Sequence, residues 1–300
     1  MSYPPLAEIS GIAKSATYPD VYWVHNDSGD SARLFAIHAD GSVIVPAPWQ
    51  PDLRTRTAQW PGLQITGASN VDWEAVTLAH GRLYVADMGN NANARRDLGI
   101  YVIDEPDPAV AVSVRAVQFI PVRYPEQDRW PAAVWHFDCE AVFRDGGKLY
   151  FITKHRKAGQ ITGWEAGARL YRLDTAHTDE QNTLTFLSAR NDIMLATDAA
   201  LSPDGGSLAV LTYQIVYVFA RPQAGDDWFS SVPRRFTLPL LRTGQAEGIT
   251  WMDGATVLIA SENRRLFRLH IGPVGTVTRR GPRSFSRIRP RPRRDIKEQT

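Results

Sequence analysis

The sequence predicts an all-β chain folded as a β-propeller of five four-stranded blades. Three observations lead there. Short runs rich in Val, Ile, Tyr, Leu and Phe are bounded by turn pairs such as Asp-Gly and Pro-Asp, no long helical periodicity interrupts them, and one unit recurs five times. The unit is a small or acidic pair opening an apolar strand, a turn, a second apolar strand, a polar loop and a third strand.

The first copy runs through residues 8–12, 21–27 and 33–37, opening on Glu8-Ile9-Ser10-Gly11-Ile12. The second opens on Asp72-Trp73-Glu74-Ala75-Val76 and continues through 83–87 and 99–103. The third opens on Asp138-Cys139-Glu140-Ala141-Val142, followed by 149–154 and 169–173. The fourth opens on Thr197-Asp198-Ala199-Ala200-Leu201 and passes the turn Ser202-Pro203-Asp204-Gly205 to 208–213 and 216–219. The fifth opens on Gln245-Ala246-Glu247-Gly248-Ile249, then 257–262 and 265–269. With Ser10, Glu74, Glu140, Ala199 and Glu247 taken as equivalent, the spacings are 64, 66, 59 and 48 residues, each enough for a four-stranded sheet with its loops. Residues 274–279 supply the last outer strand. Six blades are the alternative, if 49–70 or 105–136 hide a copy that has lost its motif; a two-sheet sandwich lacks the repeated first strand.

The first strand of a propeller blade lines the central channel, and its starting end shares a face with the loop between the second and third strands. Glu74, Glu140 and Glu247 are therefore expected to converge around the axis. Glu8, Asp72 and Asp138 lie two residues earlier, on the same side of their strands as the ring position. The same face receives Asn26, Asp27, Asp30, Asp87, Asn90, Asn91, Lys154, His155, Glu262 and Asn263. Carboxylates crowded into a partly dehydrated channel repel one another, so they take up protons or a cation. Oxygen-only ligands favour calcium, with magnesium or manganese as alternatives, and argue against zinc or a redox metal. The competing reading is that each acid caps the amides of a neighbouring blade. Ala199 leaves one side of the ring open.

Glu140, His155 and Lys154 are the candidate catalytic groups. Lys154 either pairs with Glu140 or receives an anionic substrate group, and His155, like His25, is a candidate acid–base residue. Glu74, Glu140, Glu247, Asp72, Asp138 and Glu8 form the candidate metal set; Asn26, Asp87, Asn91, Tyr213 and Glu262 form the candidate substrate contacts. Tyr213 and Trp73 either stack a ring-shaped ligand or pack blade on blade.

Composition bounds the rest. Of 300 residues 43% are apolar and 22% charged, which excludes a disordered or fibrous chain. No apolar run is long enough to span a bilayer, and the N-terminus lacks an export signal, so a cytoplasmic monomer is expected. Cys139, the single cysteine, forms no internal disulfide, and its acidic, apolar surroundings disfavour a thiolate nucleophile. No Gly-rich phosphate loop, G-x-S-x-G elbow or H-E-x-x-H pair is present. The net charge of +2 is unevenly placed: residues 275–300 hold nine Lys/Arg against Asp295 and Glu298, leaving 25 bases and 30 acids in 1–274. The propeller is assigned to 1–280, and 281–300 to a basic, proline-interrupted disordered tail, either solvated or touching anionic surfaces without specificity. No specific nucleic-acid partner is expected.

Glu8-Ile9-Ser10-Gly11-Ile12, Asp72-x-Glu74-Ala75, Asp138-x-Glu140-Ala141 and Gln245-Ala246-Glu247-Gly248-Ile249 with Ser261-Glu262-Asn263 resemble the serial motifs of the SdiA-regulated, YjiK-like propellers. They are more loosely similar to the esterase-like phytase propellers. The likeness spans residues 8–270 and implies a propeller with a calcium site at Glu74, Glu140 and Glu247. Ala199 and the lack of an export signal depart from the pattern. Two functions follow as expectations: a metal-dependent hydrolase or lyase acting on a small ester, lactone or phosphate, or a non-catalytic propeller that binds a ligand or partner around a structural ion.

Overall fold

The computed structural model describes residues 3–51, 59–272 and the backbone of 285–287. Five antiparallel sheets follow one another along the chain, so the fold is a five-bladed β-propeller. Their inner strands are Ile9–Lys14, Trp73–Ala79, Trp135–Asp145, Ala196–Leu201 and Ala246–Trp251. Each packs beside the next, and the fifth returns to the first. Among the described residues, 49–70 and 105–136 hold no sixth blade: Leu63–Thr66, Ser113–Arg115 and Gln118–Arg123 extend the first two sheets, and Trp135 begins the third inner strand.

Each blade buries both faces, which is why its strands read as continuous apolar runs rather than alternating ones. In Val257-Leu258-Ile259-Ala260, Leu258 and Ala260 pack with Ile9, Ile12 and Val24 of the first blade, while Val257 and Ile259 pack with Leu211 and Phe236 of the fourth. Every one of the five blade interfaces holds such an apolar cluster. The ring is closed between the last and first blades by this packing, each large side chain contributing about 1.5–3 kcal/mol.

Two blades exceed the expected four strands. Ser113–Arg115 adds in parallel to Leu63–Thr66 of the first sheet, and Asn182–Thr183 adds in parallel to Gln118–Arg123 of the second. Each extra strand comes from the segment between the third and outer strands of the following blade, so neighbouring blades are stitched together at the rim. The outer strand of the fifth blade is Phe285–Arg287, paired with Arg265–His270. This corrects the boundary at residue 280: Phe285-Ser286-Arg287 is a proline-free stretch inside the segment assigned to a tail. The expected strand at 274–279 and the rest of the basic tail lie outside the described residues. Among those described, no helix is long and apolar enough to cross a membrane.

The inner strands share one irregularity that positions the site. Near its start each slips by one residue against its second strand, between Ile9 and Gly11, Trp73 and Ala75, Cys139 and Ala141, Ala196 and Asp198, and Ala246 and Gly248. A bulge sets two residues against one and re-aims a side chain. The five bulged residues are Ser10, Glu74, Glu140, Thr197 and Glu247. Thr197, not Ala199, is thus the ring residue of the fourth blade, and the register expected from sequence is two residues out there.

Candidate metal and ligand site at the channel face

The bulges bring acids from distant parts of the chain together. Glu74, Asp138 and Glu140 each offer an oxygen within 4.8 Å of the others', and so do Asp27, Asp72 and Glu74. Glu74 belongs to both groups. All of these but Asp27 are buried. Glu247, also buried, feels Lys154 and accepts a hydrogen bond from the Tyr213 hydroxyl.

The two halves of this cup differ in charge balance. Glu140 Oε1 is 2.6 Å from Lys154 Nζ, and Asp138 Oδ2 is 2.8 Å from Arg156 Nε. Arg156 also reaches Asn91 Oδ1 and lies 4.2 Å from the centre of the Trp164 ring, which Lys154 approaches at 5.3 Å. Asp138 further accepts from the Asn90 amide at 2.6 Å. Asp27, Asp72 and Glu74 have no such counter-ion within ion-pair distance among the described residues. Arg95, whose charge acts on Asp72, is bound to Asp87 and Asp97.

Protonation follows that imbalance. Burial, then Asp138 and Asp27, pushes the Asp72 carboxyl up to about 7. Burial, then Glu140 and Asp27, raises Glu74 well above the usual carboxylate range. Glu247 is raised to about 7 by burial, partly offset by Lys154 and the Tyr213 hydrogen bond. Burial alone would lower the Lys154 ammonium, but Glu140, Glu247 and Asp138 outweigh it and hold Lys154 above its ordinary value. Burial pushes the Cys139 thiol up, so it stays protonated.

The remaining expected site residues divide. Tyr213 and Glu262 lie at the cup, Tyr213 on Glu247 and Glu262 held by Gln245 Nε2 at 3.0 Å. Asn91 bridges the halves, donating to Asp72 Oδ2 at 3.3 Å and accepting from Arg156. Asn26 is not a free ligand contact. Its side chain accepts from the Ala7 amide and donates to Pro5 O and Asp30, tying down the N-terminal segment. Asp87 is likewise spent on Arg95 and the Asp72 amide. Glu8 is exposed and belongs to neither carboxylate group; its carbonyl binds the Asp27 amide. His155 is stacked on His136 at 3.8 Å between ring centres, away from the acids, and burial, with His136 and Arg169, drives it down to about 3. A base that stays neutral and hemmed in there is not the acid–base group expected from sequence. His25 is buried and bonded to the Asn26 carbonyl.

Sequence reasoning missed Arg156. The strand signal was ended at Lys154, whereas the strand runs to Arg156 and alternation points that side chain the way of Lys154. In the fourth blade, Asp198 serves the competing role of an amide cap: it accepts from Ala199 N and Ile249 N, both at 2.8 Å, and so locks the fourth blade to the fifth.

The donor set of Asp27, Asp72 and Glu74 suits a hard cation: oxygen only, negatively charged, close together and without a built-in counter-charge. Backbone makes room for it at Gly89, where a Cβ would lie 2.5 Å from the Asp72 carboxylate and 2.7 Å from Glu74 Oε1. A separate cavity of about 370 Å³, lined by Lys14, Ser15, Leu78, Arg144, Leu201 and Trp251, is at the other end of the inner strands and contains none of these acids.

No protein-family model matches the chain, and no curated protein matches it significantly. Solved structures resemble it weakly. A gluconolactonase from Xanthomonas campestris is 15% identical over 90% of this chain and 77% of its own, with a TM-score of 0.40. A luciferin-regenerating enzyme is 12% identical over 94% of this chain and 76% of its own, with a TM-score of 0.47. The aldose sugar dehydrogenase of Streptomyces coelicolor is 11% identical over 93% and 80%, with a TM-score of 0.42. Their activities differ, and likeness at this level leaves the function of this chain to its own residues.

Proposed function

We propose that the channel face binds a hard divalent cation, calcium first and magnesium or manganese as alternatives, and hydrolyses a small ester, lactone or phosphate there. One observation supports this above the rest: Asp27, Asp72 and Glu74 crowd together with no cation of their own beside a Lys154–Glu140 pair that has one. Those three acids would hold the ion, which when bound supplies Lewis-acid polarisation of a substrate oxygen. Lys154 keeps its proton and offers fixed positive charge to an oxygen that becomes negative. Glu247, near 7 and oriented by Tyr213, exchanges a proton around neutral pH and takes the role first given to His155. Trp164 covers Lys154 and Arg156 and limits water around them. The reading agrees with the resemblance of the first-strand motifs to the SdiA-regulated, YjiK-like propellers.

A second reading has its own observation. Lys154 and Arg156 are both engaged by buried carboxylates, an arrangement that locks blades without needing turnover. The cup would then bind its ion and a small ligand or partner without chemistry. Assay of chelator-stripped and calcium-reloaded protein on a panel of esters, lactones and phosphate esters separates the two. Hydrolysis is expected only with calcium, and about 100-fold slower in Glu247→Gln. Calcium binding without turnover of any panel member would overturn the hydrolase reading and favour the second.

A further inference from the structure

The geometry points to a second metal site, distinct in chemistry from the acidic cup, in which His136, His155 and Glu165 bind a borderline transition-metal ion of the zinc class. Each of the three offers one ligand atom, and the three atoms lie within 4.8 Å of one another. The donor set is two imidazole nitrogens and one carboxylate oxygen, a combination that holds zinc with a fourth position open.

The local structure builds this cluster deliberately. His136 is the second residue of the inner strand of the third blade and His155 the last but one of its partner strand, so the antiparallel pairing brings them side by side. Their rings stack at 3.8 Å and within 5° of parallel. Glu165 returns on the following loop, its amide bonded to the His155 carbonyl and its carboxylate against His136 Nε2. Gly167 packs directly on the imidazole: a Cβ there would lie 2.0 Å from His155 Nδ1.

Two features separate this from an ordinary pair of packed histidines. His155 is only 5% exposed and its Nε2 has no hydrogen-bond partner; His136 Nδ1 is also buried without one. A buried polar nitrogen left unpaired costs about 1–3 kcal/mol. Zinc needs donors roughly 3.4 Å apart around bonds of about 2.0–2.1 Å, so the three ligand atoms must readjust to hold it. Glu165, whose side chain is 40% exposed on a loop, can make that movement. Imidazole selects zinc, cobalt, nickel or copper over calcium, whereas the channel acids select the reverse.

The test is calorimetric titration of the chelator-stripped full chain with zinc alone, repeated with cobalt and read by visible absorption. One zinc per chain is expected, with a cobalt spectrum showing imidazole coordination at four or five positions. Glu165→Gln and His136→Gln are expected to weaken zinc at least about tenfold, while Glu74→Gln leaves it unchanged and an excess of calcium does not compete. Glu165→Gln changes an exposed loop side chain, so it decides the matter if His136→Gln fails to fold. Absence of zinc binding, zinc binding untouched by Glu165→Gln, or zinc lost in Glu74→Gln instead would each overturn the proposal.

Discussion

Glu140 Oε1 and Lys154 Nζ sit 2.6 Å apart with side chains 1% and 5% exposed, a buried ion pair between the first two strands of the third blade. It gives the third blade's side of the cup its own counter-charge and leaves the adjoining second-blade side, at Asp72 and Glu74, without one among the described residues.

Removing one partner of such a pair strands the other in a dry site. Lys154→Met is expected to destabilise the fold by about 3–5 kcal/mol in chemical denaturation, and Lys154→Met with Glu140→Leu to recover most of that loss. Equal destabilisation in the single and double variants would mean that the pair is not the source.

Acidity should stabilise the ion-free protein. Asp72 and Glu247 are raised to about 7 and Glu74 well above the usual carboxylate range, so between about pH 4.5 and 7 the folded chain binds more protons than the unfolded one. Stability from these groups is present at low pH and falls as pH rises through that window. Calcium should flatten the slope. Thermal unfolding from pH 5 to 8, with and without calcium, checks it; stability that rises with pH in the ion-free protein would contradict it.

At Gly89 the nearest atoms a methyl group would meet are the side-chain ends of Asp72 and Glu74. Gly89→Ala is expected to leave unfolding within about 1 kcal/mol of wild type and to weaken calcium at least about tenfold, measured by titration. Unchanged affinity would place the ion elsewhere.

Asp198 offers the contrast. Both its oxygens accept backbone amides, so Asp198→Asn turns an NH₂ group against one of them. A loss of about 1–3 kcal/mol is expected with calcium affinity unchanged, the signature of a cap rather than a ligand.

Much of this was legible because the ring acids recur in one local context. Trp73-Glu74-Ala75, Cys139-Glu140-Ala141 and Ala246-Glu247-Gly248 each place a Glu between two small or apolar residues at the start of a buried strand, and that repeat reveals both the blades and the axis. The fourth blade was misaligned because a bulge leaves no trace in composition: Thr197-Asp198-Ala199 offers three candidates, and the pairing of Ala196 with Thr212 and Asp198 with Leu211 decides among them. Charge balance was less legible still. That Lys154 meets Glu140 was foreseen as one of two options, but the pairing of Asp138 with Arg156 depends on two further residues of strand, and the Asn26 and Asp87 side chains look free until their backbone partners are in place. His136 and Glu165 are 29 residues apart and share no motif, so only the return of the loop joins them.

The central claim is that the first two blades assemble a cation site from Asp27, Asp72 and Glu74. Calorimetric titration of chelator-stripped protein with calcium, on wild type, Glu74→Gln and Glu8→Gln, tests it most directly. The account predicts one calcium per chain in wild type and in Glu8→Gln, and affinity weaker by at least about tenfold in Glu74→Gln. No calcium uptake by the wild type, or a Glu74→Gln variant that binds as the wild type does, would contradict it.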